Sequence, residues 1–142
     1  MLKITSLHVA SGNSGFHTDL ETETIDNNDY RRVIYTAKNC QLVLMNLPPG
    51  EEIGEEVHDG NDQFIRIDEG TGLVIIGDNE YNVKNGDAVI VPQGIKHNAI
   101  NDSDENLKLY TVYSPPHHKK GTVHKTKADQ KEEKFDGETD VG

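Results

Sequence analysis

Short runs of β-branched and aromatic residues, separated by Gly, Asn, Asp or Pro, recur about every ten residues along most of this chain. This spacing is typical of antiparallel strands joined by turns, and no window has a sustained helical period. The runs are YRRVIYT (30–36), QLVLMNL (41–47), QFIRID (63–68), GLVIIG (72–77), EYNVK (80–84), AVIVP (88–92), HNAIN (97–101) and LKLYTVY (107–113). We therefore predict an all-β fold, an antiparallel sandwich or barrel, over residues 30–115.

The polar segments on either side of this region are predicted to lie outside the barrel. Residues 1–29 are predicted to form a loosely packed N-terminal arm, and Ile4, Leu7 and Val9 in it could add an edge strand. Residues 116–142 are predicted to form a polar C-terminal tail. Two states of this tail stay open: disorder, or a return onto the barrel with Phe135 as an anchor.

Glycines and one cysteine provide local expectations within the barrel. GDNE (77–80), between two strand-like runs, is a β-hairpin signal. Other glycines near the runs, Gly70, Gly72 and Gly86, are interpreted as turn residues and not as phosphate-binding positions, because no helix start follows them. Cys40 is interpreted as a small buried apolar residue.

Charge and composition exclude several classes of partner. The 142 residues carry a formal charge of −11, and a field of this sign repels the phosphate backbone of nucleic acids. The longest apolar runs, LVII (73–76) and AVIV (88–91), are too short to cross a bilayer, and residues 1–10 lack the pattern of a signal peptide. A single cysteine cannot form an internal disulfide, which favours a cytoplasmic location.

The residue types that bind metals occur within two regular spacings. In the first, Glu56, His58 and Gln63 lie between Gly50 and Gly70. Side chains two apart on a strand face the same side, so Glu56 and His58 can converge on one point, with Gln63 starting the neighbouring strand. Ile65 and Ile67 are expected to face inward with Gln63. The second spacing is Gly86, Pro92, Gly94, His97 and Asn101.

Together these spacings resemble the paired motifs of the cupin superfamily, G-x5-H-x-H-x3–4-E-x6-G and G-x5-P-x-G-x2-H-x3-N. Glu56 occupies the first His position and Gln63 the Glu position, whereas the second motif is matched throughout. The resemblance implies a double-stranded β-helix, a jelly-roll barrel of two facing antiparallel sheets. It also implies a divalent metal ion held by Glu56, His58, Gln63 and His97. These ligands carry one negative charge, and Mn²⁺, Fe²⁺, Co²⁺, Zn²⁺ and Ni²⁺ all stay possible.

Longer stretches extend the resemblance and suggest a function. PPGEEIGEEVH, LKLYTVYSPP and GTVHKTKAD are similar to a group of small bacterial cupins described as mannose-6-phosphate isomerase-like. A Gln at the third ligand position also occurs in cupins that act on unsaturated uronates. The leading hypothesis is therefore a metal-dependent, isomerase-like enzyme acting on a sugar or sugar acid. The alternatives are an Fe²⁺-dependent oxygenase and a non-catalytic sensor or binding cupin. A homodimer is expected by analogy with other small cupins.

Some chemically capable residues have no assigned role. No residue is identified for proton transfer. His117, His118 and His124 lie among lysines in the polar tail, and we expect no functional metal site there. Tyr110 and Tyr113 could line the cavity or pack outside, since the sequence does not fix which way they face.

Overall fold

A computed structural model describes residues 15–131 and 133–141 of the chain. The elements are α1 (Leu20–Asp26), β1 (Arg31–Thr36), β2 (Gln41–Leu47), β3 (Asp62–Glu69), β4 (Thr71–Ile76), β5 (Asn79–Lys84), β6 (Ala88–Val91), β7 (His97–Ile100), β8 (Leu107–Ser114), β9 (Val123–His124) and a 3-10 helix, η1 (Lys127–Asp129). The β-rich runs of the sequence correspond to β1 to β8, so the predicted all-β class is confirmed.

Two antiparallel sheets face each other across the core. The larger sheet has the order β6-β3-β8-β2-β1-β9, and the smaller has the order β5-β4-β7. The predicted hairpin connects β4 to β5, with Ile76 opposite Asn79 and Gly77 at a φ of 59°. This arrangement is the jelly-roll barrel predicted from the motif spacing.

Alternating side chains of the central strands fill the space between the sheets. Ile65 and Ile67 of β3 are 2% and 1% exposed, as the predicted alternation requires. The members of the core on the larger sheet include Val43, Met45, Leu47, Leu107 and Leu109, and those on the smaller sheet include Val74, Val83 and Ala99. Burial of this apolar surface provides the main favourable term for folding.

A segment without regular strand geometry extends the smaller sheet at its β7 edge. The Gly50 amide donates to the Asn101 carbonyl, and the Ile53 amide donates to the Ala99 carbonyl, both at 2.9 Å. Glu56 and His97 exchange two backbone hydrogen bonds, also of 2.9 Å. Residues 50–56 therefore run antiparallel to β7, and this pairing places Glu56 directly opposite His97.

Helix α1 lies in the segment that was predicted as a loosely packed arm, so the expectation of no helix is wrong for residues 20–26. The Asp19 side chain caps the helix by accepting from the Thr22 amide at 3.3 Å. The helix packs on β2, β3 and β8 and helps to bury Lys108 on the outer face of the larger sheet. The possible edge strand at Ile4, Leu7 and Val9 lies outside the described residues.

The described part of the tail returns to the barrel, which is the second of the two states that the sequence left open. Strand β9 pairs with β1. The Phe135 amide donates to the His117 carbonyl at 3.0 Å, and the Asp140 amide donates to the Thr36 carbonyl at 2.8 Å. Phe135 itself is half-buried. The boundaries 1–29, 30–115 and 116–142 stay a prediction.

Two local expectations are corrected. Cys40 is exposed, because it lies in the turn between β1 and β2 and not within a strand. Gly72 lies inside β4 and not in a turn; a Cβ there would approach the Ile100 carbonyl oxygen and a Leu107 methyl group, both at 2.8 Å. The close packing of strands excludes a side chain at this position. In the described part of the chain, no helix has the length and apolar character needed to cross a membrane.

Candidate metal centre

Three of the four predicted ligands meet at one end of the barrel. One ligand atom from each of Glu56, His58 and His97 lies within 4.8 Å of the other two. The backbone pairing of Glu56 with His97 brings the first and last of these side chains together. The Gly94 amide donates to the His58 carbonyl at 2.9 Å and so anchors the middle residue. The predicted convergence of Glu56, His58 and His97 is confirmed.

The loop before β7 orients the His97 ring. Gly94 has a φ of 81°, and the Ile95 amide donates to the Pro92 carbonyl at 3.3 Å, which gives the tight turn expected from the sequence. The Nδ1 atom of His97 lies 3.0 Å from the Ile95 carbonyl oxygen. Since a carbonyl can only accept, Nδ1 carries the proton and Nε2 keeps its lone pair for a ligand.

Burial and neighbouring charges control the ionisation of the three residues. Burial lowers the pKa of His97 below 6.5, although its bond to the Ile95 carbonyl opposes this. Burial raises the pKa of Glu56, but the hydrogen-bonding and charge effects of His58, with Arg31 and His97, outweigh it and leave that pKa below 4.5. A neutral His97 and an ionised Glu56 are the forms that bind a cation.

Two of the buried polar atoms that lack a hydrogen bond of normal geometry to the described residues belong to the predicted ligands. His58 Nε2 lies 3.1 Å from Glu56 Oε2, the contact that lowers the pKa of Glu56, and makes no other hydrogen bond to the described residues. Gln63 is 3% exposed and donates from Nε2 to Thr111 Oγ1 at 3.0 Å, which leaves its Oε1 as the second such atom. Buried polar atoms are normally satisfied, so this pair fits a missing electropositive partner.

The donor set therefore suits a divalent cation. Two imidazoles, one carboxylate and one amide oxygen are all ligands of Mn²⁺, Fe²⁺, Co²⁺, Zn²⁺ or Ni²⁺ in proteins. The set brings a single negative charge, from Glu56, and fewer than six ligands, so positions stay open for a substrate. Gln63 faces inward as predicted; its direct ligation stays a prediction.

A cavity of about 510 Å³, which is large enough for a metabolite, adjoins two of the four predicted ligands, whereas Gln63 and His97 do not line it. Glu56 and His58 belong to its wall. The other lining residues are Arg31, Val57, Asp59, Gly60, Asn61, His117, His118, Gln130, Lys131, Glu133 and Lys134. One side of the cavity is thus built by the motif region and the other by β1 and the C-terminal tail.

Comparison with known proteins identifies the family. The family model Cupin_2, the cupin domain, matches residues 43–113. The chain belongs to the cupin family. Two curated relatives of this cupin, both described as uncharacterized, are YrkC of Bacillus subtilis and L612 of Acanthamoeba polyphaga mimivirus. YrkC is 43% identical over 124 residues, covering 83% of this cupin and 67% of YrkC. L612 is 40% identical over 119 residues, covering 81% of this cupin and 74% of L612.

A solved structure supports the same conclusion. The crystal structure of BH2720 from Bacillus halodurans superposes with a TM-score of 0.81 at 40% sequence identity, and the match covers 83% of this cupin and 94% of that chain. The double-stranded β-helix predicted from the motifs is therefore confirmed. Membership of the mannose-6-phosphate isomerase-like group stays a prediction.

Aromatic and histidine rings that the sequence analysis did not place at the site surround the cupin ligands. Tyr113 faces inward, with its ring centroid 5.6 Å from that of His58, whereas Tyr110 faces outward against Phe64. The His117 ring lies 4.3 Å from the His58 ring. Burial, with the charge of His58, lowers the pKa of His117 to about 4, and burial raises that of Tyr113. Both side chains are therefore neutral near neutral pH.

The histidines of the tail are buried, which corrects the view of them as residues of a solvated segment. His118 and His124 are 9% and 6% exposed. Burial, together with Arg31, lowers the pKa of His118 to about 2. The group of possible metal ligands found in the described residues does not contain His117, His118 or His124. Their chain positions lie far from both motifs, so no local pattern links them to the site.

Proposed function

We propose that this cupin is a divalent-metal-dependent enzyme that acts on a small polar metabolite, such as a sugar or sugar acid, by an isomerase-like reaction. The observation that carries the proposal is the convergence of Glu56, His58 and His97 beside a cavity of about 510 Å³. A structural metal site would have its coordination closed by protein ligands. The open wall next to these donors supports a site that receives a substrate.

In this proposal Glu56, His58 and His97 hold the ion and Gln63 provides the fourth donor. When bound, the ion would polarise a carbonyl or hydroxyl oxygen of the substrate as a Lewis acid. The buried ring of Tyr113 helps to exclude water from the His58 side of the site. The protein thus supplies metal ligands in fixed positions, a cavity for the substrate, and a wall from which water is excluded.

His117 is the residue that we propose for proton transfer. It lines the cavity, its ring packs on His58, and its Nδ1 lies 3.3 Å from Asn61 Oδ1. If Nδ1 donates to Asn61, Nε2 keeps a lone pair that can accept a proton. Burial keeps this imidazole neutral and able to accept a proton, and a bound anion or substrate that raises its pKa from about 4 would make it a stronger general base.

The proposal is tested by metal content and turnover measured together. Wild-type protein and the variants Glu56→Ala, His58→Ala and His97→Ala are analysed for bound metal and then assayed with aldoses, ketoses and uronates in added Mn²⁺, Co²⁺ or Zn²⁺. We expect each variant to lose metal affinity by about 100-fold or more, since removing even an outer partner of a ligand costs about 10- to 100-fold. Turnover should be lost in parallel.

Glu55→Gln is the matched control for Glu56→Ala, because Glu55 is its exposed neighbour and pairs with Lys96 on the surface. This control should keep wild-type metal content. Equal metal in the wild type and all three ligand variants would show that the site is assigned wrongly. A fully metallated protein without turnover on the whole panel would contradict the enzymatic part of the proposal.

The second candidate function is an Fe²⁺-dependent oxygenase. The observation that favours it is the composition of the cluster, because two histidines and one carboxylate are the ligand set of non-haem Fe²⁺ oxygenases. Anaerobic reconstitution with Fe²⁺ followed by oxygen-uptake measurements separates the two reactions. Ligand binding without turnover, unchanged by metal removal, would instead indicate a non-catalytic binding cupin.

A further inference from the structure

Arg31, the first residue of β1, is a buried cation in the wall of the cavity. It is 3% exposed, although arginine rarely loses its contact with water unless it has a partner. Its Nη1 lies 3.3 Å from His124 Nδ1 and 3.2 Å from Gln130 Oε1. Both partners are uncharged acceptors, since burial, together with Arg31, lowers the pKa of His124. These contacts fix the guanidinium without neutralising it.

The Tyr30 side chain is a further neighbour of the guanidinium: Cζ lies 5.1 Å from the centroid of its ring, and hydrogen bonding with Arg31 acts to lower the pKa of its hydroxyl. Nε is buried and makes no hydrogen bond of normal geometry to residues 15–131 or 133–141, and Nη2 makes none either. No carboxylate within those ranges lies at ion-pair distance from Arg31. The charge of Arg31 acts on Glu56 in the same wall without pairing with it, so Nε and Nη2 keep their donors for an anion that enters from the cavity.

The geometry of the two donors, Nε and Nη2, indicates that the anion is a carboxylate. Nε and Nη2 are parallel donors that match the two oxygens of a carboxylate. The charges of the cavity lining balance, because Arg31, Lys131 and Lys134 stand against three carboxylates. The net charge of −11 therefore decides, and it opposes a doubly charged phosphate more than a singly charged carboxylate. The overall charge of −11 attracts no anion from a distance, so selection must come from local donors.

We propose that the Nε and Nη2 atoms of Arg31 bind the carboxylate of a small organic acid that lies in the cavity beside Glu56 and His58. The four predicted metal ligands carry one negative charge, so a divalent ion would leave one positive charge opposite Arg31. The carboxylate would be held at Arg31, and the rest of the molecule would face Glu56 and His58. This inference names the substrate class and rests on the proposed function for the reaction, but not for binding.

Matched pairs of ligands test the inference. D-galacturonate and D-glucuronate are compared with D-galactose and D-glucose by calorimetric titration of the full chain, because each pair differs by one carboxylate. A hydrogen-bonded charge pair gives about a 10- to 100-fold preference, and we expect at least one uronate to show it. Inorganic phosphate is titrated in parallel. Phosphate binding tighter than either uronate, or no uronate preferred over its aldose, would overturn the inference.

Variants connect the preference to this side chain. Arg31→Met should abolish the preference, whereas Arg31→Lys, which keeps the charge but not the paired donors, should reduce it by about tenfold. Arg32→Met is the control, because Arg32 is the exposed neighbour on β1, and it should bind as the wild type does. Circular dichroism checks that each variant is folded. Unchanged uronate binding in Arg31→Lys, or in a folded Arg31→Met protein, would overturn the assignment.

The same titrations distinguish a failure of the inference from a failure of the proposed function. They are repeated with His97→Ala, which lacks a metal ligand but keeps Arg31. A uronate preference that persists in protein without bound metal, and without turnover, would support the carboxylate site while contradicting the metal-dependent enzyme. Metal-dependent turnover of neutral sugars, with no preference for acids, would support the metal-dependent enzyme while contradicting the carboxylate site.

Discussion

Glu56 and Gln63 give the predicted metal ligands of this cupin a distribution of charge that differs from the family motif. The carboxylate lies on the segment paired with β7, next to His97, and the amide lies on β3. Glu56 therefore carries the single negative charge of the set at the cavity wall, where the charge of Arg31 acts to lower its pKa. Gln63, on β3, is neutral. An entering carboxylate is attracted by Arg31 and repelled by Glu56, and a cation bound at Glu56 would lessen that repulsion without being required for binding at Arg31.

The orientation of Gln63 depends on Thr111, and this gives a prediction for that pair. Thr111→Val removes the acceptor for Gln63 Nε2 with little change of volume, so the amide is no longer held with Oε1 free. We expect metal affinity to fall by about tenfold, the lower end of the effect of removing a partner of a ligand. The measurement is competition with a chromophoric chelator.

Thr111→Ser is the control, because it keeps the hydroxyl and should keep wild-type affinity. Because Thr111 is fully buried, thermal unfolding must show that both variants are folded. Equal metal affinity in the valine and serine variants would show that the amide oxygen of Gln63 does not bind the ion.

At this scale, the sequence predicts the residues whose partners are close along the chain. Glu56 and His58 are two apart on one extended segment, so spacing alone brings these two side chains together. That His97 joins them from a later strand was implied by the resemblance to the cupin motifs. Arg31 contacts Gln130 across 99 residues of sequence. Contacts of that range follow from the return path of the tail, which no periodic pattern encodes.

Among the elements, α1 has a clear effect on one buried lysine. Lys108 is 4% exposed and donates from Nζ to the Asn27 carbonyl and to Asn28 Oδ1, at the end of the helix. Burial lowers its pKa below 10.5 in the folded state. Between that lowered pKa and 10.5 the unfolded chain binds more protons, so the free energy of unfolding should rise with pH across this window.

Urea denaturation at a series of alkaline pH values, compared between wild type and Lys108→Met, measures this effect. The variant should lack the rise, whereas Lys38→Met, at an exposed position, should keep it. A rise of equal size in Lys108→Met and wild type would show that other groups cause it.

Gly72 in β4 gives a second prediction at the scale of elements. In Gly72→Ala the added Cβ would lie 2.8 Å from both the Ile100 carbonyl oxygen and a Leu107 side-chain carbon, so β4 must move away from its neighbours. We expect the free energy of unfolding to fall by about 1–3 kcal/mol, the usual cost of overpacking a core. Urea denaturation measures the change. Gly60→Ala is the matched control, since a Cβ at Gly60 meets nothing within 4 Å, and a similar loss in both variants would contradict the packing argument.

Strands were predictable as elements because each carries its own alternating pattern and turn signals, as β4 and β5 do around Gly77. Helix α1 was not, because seven residues are too few to show a helical period, although Asp19 provides a capping signal. Strand β9 has two residues and depends on β1 for its pairing. Such short elements are stabilised by tertiary contacts and not by their own propensities.

For the whole molecule we propose a homodimer, as small cupin barrels pair through exposed sheet edges. Strand β6 is an edge of the larger sheet, and Ile90 on it is 65% exposed. An exposed apolar residue on an open edge favours association with a second copy. Light scattering at micromolar concentration should give twice the mass of the chain, and Ile90→Glu should give the monomer. A monomeric mass for the wild type would contradict this proposal.

The contact between Arg31 and Gln130 also has a consequence for the order in which the protein is made. Synthesis proceeds from the N-terminus, so β1 to β8 leave the ribosome before the residues that complete the far wall of the cavity. Glu56, His58 and His97 can thus meet while the cavity is still open on the side of the tail. We propose that a nascent chain can bind the proposed metal ion before it can select the proposed acid.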